Sequence, residues 1–541
     1  MRPRAGLGAI LAIPLLGLIV ALMGAMMLTG TTTLSPRAWM ASITGEEALA
    51  SQVRGTLQWL FGWSRPHPQT APFTAVAYTD LAPFGVNTEL EQEVEPEKRA
   101  RSLQMIADAG FRWIRQPFPW YDLEIHSKGD FEDRRHEPYR SAWDKYDQIV
   151  SLAEQHGLEI IARLGAPPAW SRHDGVARGA FGPPDDLGDF ADYAAAVVDR
   201  YRGRIRFYQI WNEPNVYPEW GNQPVDPEGY TQLLCEAYRR IKAIDPTAVV
   251  ISGAMAQTSE LGTWNASYQG NNLMDTIFLQ RMYAAGAGDC FDIMAVNDYM
   301  LWSGPTDHRI TQSEINFSRP MWLRDIMVAN GDAGKPIWIS EMNSNAAPAG
   351  VPERYGRVTL EQQARWAPLA YDRIQQEWPW VGVTTVWFFK KASDAEQNDP
   401  SYYFRLVDPD FTPMPVYHAL STYLNALEPT LYRGYHQETA WQLDYGGAWE
   451  DVASDAAALG LYRRTTTAGA SVTVVWNGRN LTLIPGPESS TIRLVDTNEE
   501  QRQVQIDGTP IRLGTSFVPQ RHRYTLIVVE GSLSIDQLQV R

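Results

Sequence analysis

Two glutamates, Glu213 and Glu341, each close an apolar run that reads as a buried strand: Phe-Tyr-Gln-Ile-Trp-Asn-Glu-Pro-Asn and Pro-Ile-Trp-Ile-Ser-Glu-Met-Asn. Paired carboxylates suit the cleavage of a sugar acetal. One must protonate the departing oxygen while the other attacks or stabilises the anomeric carbon. A lone Glu at a strand end reads more simply as a helix cap or as the partner of a basic neighbour. A pair reverses that preference, provided the chain brings the two together.

From about Pro72 to Leu427 short apolar runs alternate with helical stretches, the pattern of a parallel sheet wound with crossover helices. Strands are predicted at Phe84 to Asn87, Trp113 to Gln116, Glu159 to Leu164, Arg206 to Trp211, Val249 to Gly253, Ile293 to Asn297, Ile337 to Ser340 and Val383 to Phe388. That series fits an α/β fold, a (β/α)8 TIM barrel, better than an open doubly wound sheet. No Gly-x-Gly-x-x-Gly run opens a helix, so dinucleotide binding has no support. In such a barrel chemistry gathers at the C-terminal strand ends. Glu213 follows the fourth strand and Glu341 the seventh. Asn87 ends the first, Arg115 lies at the end of the second, Trp170 beyond the third, Asn212 beside Glu213, Asn297 to Tyr299 after the sixth, and Trp387 in the eighth. Read singly, Arg115 is a loop-bridging cation, Tyr299 a core residue and Trp387 a filler of the barrel mouth. Lys390, just past the eighth strand, reads as a solvated loop charge rather than a Schiff-base lysine.

The Ile-Trp-Asn-Glu-Pro-Asn run with Trp220 downstream, paired with Trp338 to Asn343, resembles the glycoside hydrolases of clan A, most of all family 39, with family 5 next. The resemblance covers about Ala71 to Leu427. It implies a retaining double displacement with Glu213 as general acid/base and Glu341 as nucleophile. It further implies that Asn212 binds the sugar 2-hydroxyl, Tyr299 hydrogen-bonds Glu341, and Arg115 steadies the nucleophile, its charge keeping Glu341 ionised. Asn87, Trp170 and Trp387 complete the expected sugar-binding wall. Asn297-Asp298-Tyr299 departs from the pattern, since several clan members carry a His there.

The flanks set where this chemistry would run. Arg2 and Arg4 precede an uncharged run from Ala5 to Pro36, rich at its centre in Leu, Ile, Met and Ala. A bilayer span takes about 20 such residues. Residues 1–30 are therefore expected to be a transmembrane anchor, with cleavage as a signal the alternative. The positive-inside rule then places everything after Thr29 outside the cytoplasm. Residues 31–71 read as a stalk containing an amphipathic helix from about Glu46 to Trp63, whose Trp59, Phe61 and Trp63 are expected either at the membrane interface or packed on the main domain. Residues 72–427 form the barrel, and 428–541 an all-β sandwich-like domain whose candidate roles are buttressing the barrel, the favoured one, and weak glycan contact.

With 541 residues and 44% hydrophobic content the chain has ample core for such a plan. A net charge of −16 argues against a nucleic-acid partner and for a carbohydrate substrate. The His residues lack a His-Glu-x-x-His spacing, so neither a catalytic metal nor a cofactor is expected. Two cysteines, Cys235 and Cys290, leave one disulfide open. The rival readings are a non-catalytic glycan-binding surface protein on the same barrel, and a transglycosylase.

Overall fold

The computed structural model describes residues 35–262, 272–312 and 314–541. The expected anchor lies outside the described residues. Among the described residues no helix is long and apolar enough to cross a membrane.

Eight parallel strands form the central sheet: β1 (Phe84–Asn87), β2 (Trp113–Pro119), β3 (Glu159–Gly165), β4 (Phe207–Ile210), β5 (Val249–Ile251), β6 (Met294–Asn297), β7 (Ile337–Met342) and β8 (Val381–Val386). Their order is β5-β4-β3-β2-β1-β8-β7-β6, and bridges from Ile251 to Ile293 and from Met255 to Val296 close β5 onto β6. The predicted strands therefore lie where expected, within three residues at their ends.

The strand period of two sorts their side chains. Alternate residues point into the lumen, whose N-terminal floor is apolar: the rings of Trp113, Phe207 and Trp338 meet at 5.0 to 5.5 Å. Two residues further along the same strands the inward side chains are Arg115, Gln209 and Ser340, all buried. An apolar plug below thus carries a polar layer above. The outward residues, such as Ile114, Tyr208 and Ile339, pack against the helical ring.

The helices that cover the sheet are capped where the sequence says they should be. After β4 comes the helix Pro227–Ile244, with Pro at its first position and Asp226 accepting from Gly229 N at 2.9 Å. Its Leu233, Leu234, Ala237 and Ile241 face the core, each worth roughly 1 to 3 kcal/mol of burial. After β7 the helix Leu360–Glu377 opens with a Thr359/Gln362 capping box. Cys235 and Cys290 are joined in a disulfide, tying the helix after β4 to the segment that leads into β6.

Both flanks pack on the barrel. The segment read as a stalk forms two helices, α1 (Pro36–Thr44) and α2 (Leu49–Gly62), that dock on the barrel. His308 N donates to Ile43 O at 2.8 Å, Gly304 N to Gly45 O at 3.1 Å, and Arg309 pairs with Glu46 at 3.1 Å. At the other end a seven-stranded and a three-stranded antiparallel sheet share a core around Trp476, Leu483 and Leu526. That domain grips the base of β1: Trp441 N donates to Asp80 O at 2.8 Å, and the Trp441 ring lies edge-on to Phe84 at 5.5 Å. The contacts suit the buttress expected of it.

Candidate active site

Strand seven reaches the mouth through an irregularity. Val296 pairs with Ile339, but the next residue, Asn297, pairs with Glu341, so β7 holds one residue more than β6 over the same rungs. The bulge breaks the alternation and turns two successive side chains to the same pocket. Ser340 Oγ accepts from Gln209 Nε2 at 2.9 Å, and Glu341 meets Arg115 and Tyr299.

Strand four reaches it through the backbone. Trp211 and Glu213 both lie in the left-handed region, at φ 78° and 35°, which costs a non-glycine residue of order 1 kcal/mol or more. The turn is held from both sides: Trp211 N donates to Leu164 O at 2.7 Å, and its indole N–H to Glu219 O at 2.7 Å. Asn215 is locked further along, donating to Ala256 O at 2.9 Å and Leu273 O at 3.1 Å. The strain buys a direction for Glu213, whose neighbours along the chain cannot rotate away.

The two carboxylates sit in unlike surroundings. Glu341 is 4% exposed; one oxygen accepts from Arg115 at 2.8 Å and the other from the Tyr299 hydroxyl at 2.6 Å. Arg115 is itself buried, and every arm of its guanidinium is spoken for: Gln209 at 2.6 Å, Asn87 at 2.8 Å and Asn212 at 2.8 Å, besides Glu341. Burial lowers its pKa to about 10, so it remains a cation at neutral pH. Glu213 is only partly buried and accepts a single amide hydrogen bond, from Asn297 at 2.7 Å. Desolvation first, then the charge of Glu341, then that of Glu219, push its carboxyl up to about 8. One carboxylate is clamped by a cation and the other is poised to hold a proton.

The structure brings Arg115, Asn212, Tyr299, Glu213 and Glu341 into one cluster. Asn87 belongs to it from below. Its Oδ1 accepts from Arg115 and its amide donates to Ser340 O at 2.8 Å, so it positions the cation and is 1% exposed. Trp387 stands half-buried one residue past β8, its carbonyl accepting from Asn343 at 2.7 Å. Trp170 is placed less directly: its indole N–H donates to Glu124 O at 2.8 Å and its ring lies edge-on to Trp120. Lys390 departs from the solvated charge expected; it is buried against Glu93, because the loop after β8 folds back over the β1 loop.

Four further residues complete the site. Asn297 supplies the amide for Glu213, Gln209 braces Arg115, and Glu219 and Arg163 line a cleft with Asn212, Trp211, Pro117 and Phe181. The cleft is narrow, with a volume of about 40 Å³. Burial raises the Glu219 carboxyl to about 7, and Arg163 and a hydrogen bond with Asn212 act against that rise. Strand parity marks Gln209 and Arg163 as inward-facing, in step with Phe207 and Ile161. Glu219 carries no such mark, since it lies in a loop whose path the local pattern does not encode.

The model of cellulase, glycosyl hydrolase family 5, matches residues 76–380. The chain belongs to that family. It is therefore an O-glycosyl hydrolase of the clan A type, and the non-catalytic reading falls away. No curated protein matches the chain. Among solved structures the glycosidase is similar to a family 39 glycoside hydrolase from the gut symbiont Bacteroides cellulosilyticus WH2, at 20% identity and TM-score 0.49, over 82% of this chain and 80% of that one. A monomeric beta-xylosidase from Caulobacter crescentus CB15 is similar at 15% identity and TM-score 0.46, over 86% and 97%. The family 39 enzyme from Xanthomonas axonopodis pv. citri is similar at 15% identity and TM-score 0.45, over 86% and 98%. Of the two families that the motifs resemble, family 5 is the one whose model matches. Among the described residues of the glycosidase, no group of His, Cys, Asp and Glu side chains is arranged to hold a metal ion.

Proposed function

We propose that this glycosidase cleaves O-glycosidic bonds of oligo- or polysaccharides by double displacement with retention, at the outer face of a membrane. The observation that carries the reading is the unequal treatment of the two carboxylates. Glu341, fixed by Arg115 and Tyr299, is the nucleophile; Glu213, with its pKa near 8, is the general acid.

The same electrostatics supply the second half of the cycle. When Glu341 attacks the anomeric carbon its charge is neutralised in the ester, which removes the second-largest cause of the raised Glu213 pKa. Glu213, having given its proton to the leaving oxygen, then stays ionised and accepts a proton from water. In this reading Asn212, which accepts from Arg115 at 2.8 Å, binds the sugar 2-hydroxyl, and Trp387 and Trp170 stack on the ring. The outward location rests on Arg2 and Arg4 before the apolar run, and the Cys235–Cys290 disulfide suits an oxidising compartment.

The test separates the roles. Glu341→Ala should abolish turnover on every substrate. Glu213→Ala should spare the first step for aryl glycosides with good leaving groups, so that a glycosyl-enzyme accumulates on Glu341. Azide should speed its release and yield a glycosyl azide of retained configuration, detected by NMR. An inverted azide would exchange the two roles, and full activity of Glu213→Ala on poor leaving groups would remove Glu213 from the chemistry.

A further inference from the structure

Helix α2 is built inside out. In a surface helix of a globular protein the apolar stripe faces the core and the polar face meets water. Here Gln52, Gly55 and Thr56 are the buried residues. Gln52 donates to Glu46 O at 2.9 Å, Thr56 to Gln52 O at 2.7 Å, and Gln58 accepts from Arg309 at 3.0 Å. Leu49, Val53, Leu57 and Phe61 instead face outward, between 40 and 68% exposed. Spaced four apart, they form one line along the helix. Trp63, the residue that caps the helix, is also 57% exposed.

The charges around the stripe select its partner. Within Leu49–Gly62 the single charged residue is Arg54, and Arg65 follows just beyond. Both are exposed cations. The nearby carboxylates are paired, Glu46 with Arg309 and Glu47 with Arg365. Trp39, Trp59 and Trp63 form an aromatic chain with centroids 6.2 and 4.8 Å apart. An apolar line, flanking cations and a tryptophan cluster are what a phospholipid interface recognises. The uncharged run from Ala5 to Pro36 ends on the first residue of α1, so the segment read as the anchor directly precedes this helix pair in the chain.

We propose that the Leu49–Phe61 face of α2 lies on the bilayer surface and seats the barrel there in a fixed orientation. The inference rests on the membrane-anchored reading and deepens it. The seat is rigid because α1 and α2 bond to Gly304, His308 and Arg309, which lie in the same β6 loop that carries Tyr299 to Glu341. A tether alone would leave the active site free to turn; this face holds its mouth at one angle to the membrane.

The test uses the full chain in vesicles of phosphatidylcholine and phosphatidylglycerol. Both native cysteines are paired, so a single introduced thiol takes a bimane label selectively. Val53→Cys, Leu57→Cys and Phe61→Cys are compared with Asn498→Cys, an exposed turn in the C-terminal domain. Doxyl groups near the lipid headgroup should quench the three α2 labels roughly twofold and leave the Asn498→Cys label unchanged. Protein that floats with the vesicles while its α2 labels stay unquenched would overturn the seat and leave the anchor standing. That outcome would assign the face to the apolar segment of the same chain or to a second copy. Protein that does not float would overturn the anchor and the seat with it.

Discussion

The ends of β4 and β7 solve one problem by opposite means. At β7 the strand itself is deformed: the bulge at Ser340 turns Glu341 inward, where a buried cation and a phenol clamp both its oxygens. At β4 the strand ends cleanly and the next residues take left-handed backbone, leaving Glu213 with one amide donor and a share of solvent. The comparison teaches that rigidity and electrostatics were assigned together. On the proposed double displacement, the group that attacks along a fixed line is the one clamped by positive charge. The group proposed to trade a proton twice is held by its backbone, and burial and its neighbours raise its pKa.

The largest effect should come from breaking the clamp. Arg115→Met leaves Glu341 as a buried carboxylate without its cation and releases Asn87, Gln209 and Asn212. Removing one partner of such a pair costs about 3 to 5 kcal/mol, so kcat/KM should fall by about a thousandfold and the melting temperature should drop with it. A fall in kcat/KM with unchanged stability would show that the network is catalytic alone.

Tyr299→Phe removes one hydrogen bond from the same carboxylate and keeps the ring against Phe404. A charge-assisted hydrogen bond is worth about 1.5 to 3 kcal/mol, so kcat/KM should fall by roughly ten- to a hundredfold with little change in melting temperature. Steady-state kinetics beside a thermal melt would check both halves.

The β4 end is probed by pH. Glu213 must be protonated to act as an acid and its pKa lies at about 8, so kcat/KM should fall as pH rises through that value. The anionic form of Glu219 raises the Glu213 pKa, so Glu219→Gln should move this alkaline limb to lower pH, by about half a unit. A limb that stays in place would mean that another group controls it.

The smallest effects belong to the stacking walls. Trp387→Ala should raise KM by roughly tenfold and Trp170→Ala by roughly threefold, because the Trp170 ring is already engaged with Trp120 and its indole with Glu124. Equal effects would place both rings on the substrate to the same degree.

Much of this molecule was determined by sequence alone. Apolar runs alternating with amphipathic helices specify parallel strands with crossovers, and once eight are counted the barrel and its catalytic end follow. Asn212-Glu213 and Glu341 stand at the ends of the fourth and seventh of those runs, so the pair was legible. Arg115 and Asn87 were legible as residues of the mouth, because strand parity carries them inward. Only the tertiary structure decided how the pair is differentiated. The one-residue register shift between β6 and β7 depends on both strands at once, and a period-two pattern within either strand cannot show it. The raised Glu213 pKa comes first from desolvation by the folded cleft and then from the charges of Glu341 and Glu219, which are far apart or out of pattern in the chain. Lys390 read as solvent-exposed until a loop from β1 brought Glu93 over it. The apolar line of α2 was visible as amphipathicity, but periodicity states only that two faces differ. Which one is buried was settled by the contacts of the polar face: Arg309 of the β6 loop donates to Gln58 and pairs with Glu46, and Gln52 folds back on Glu46 O.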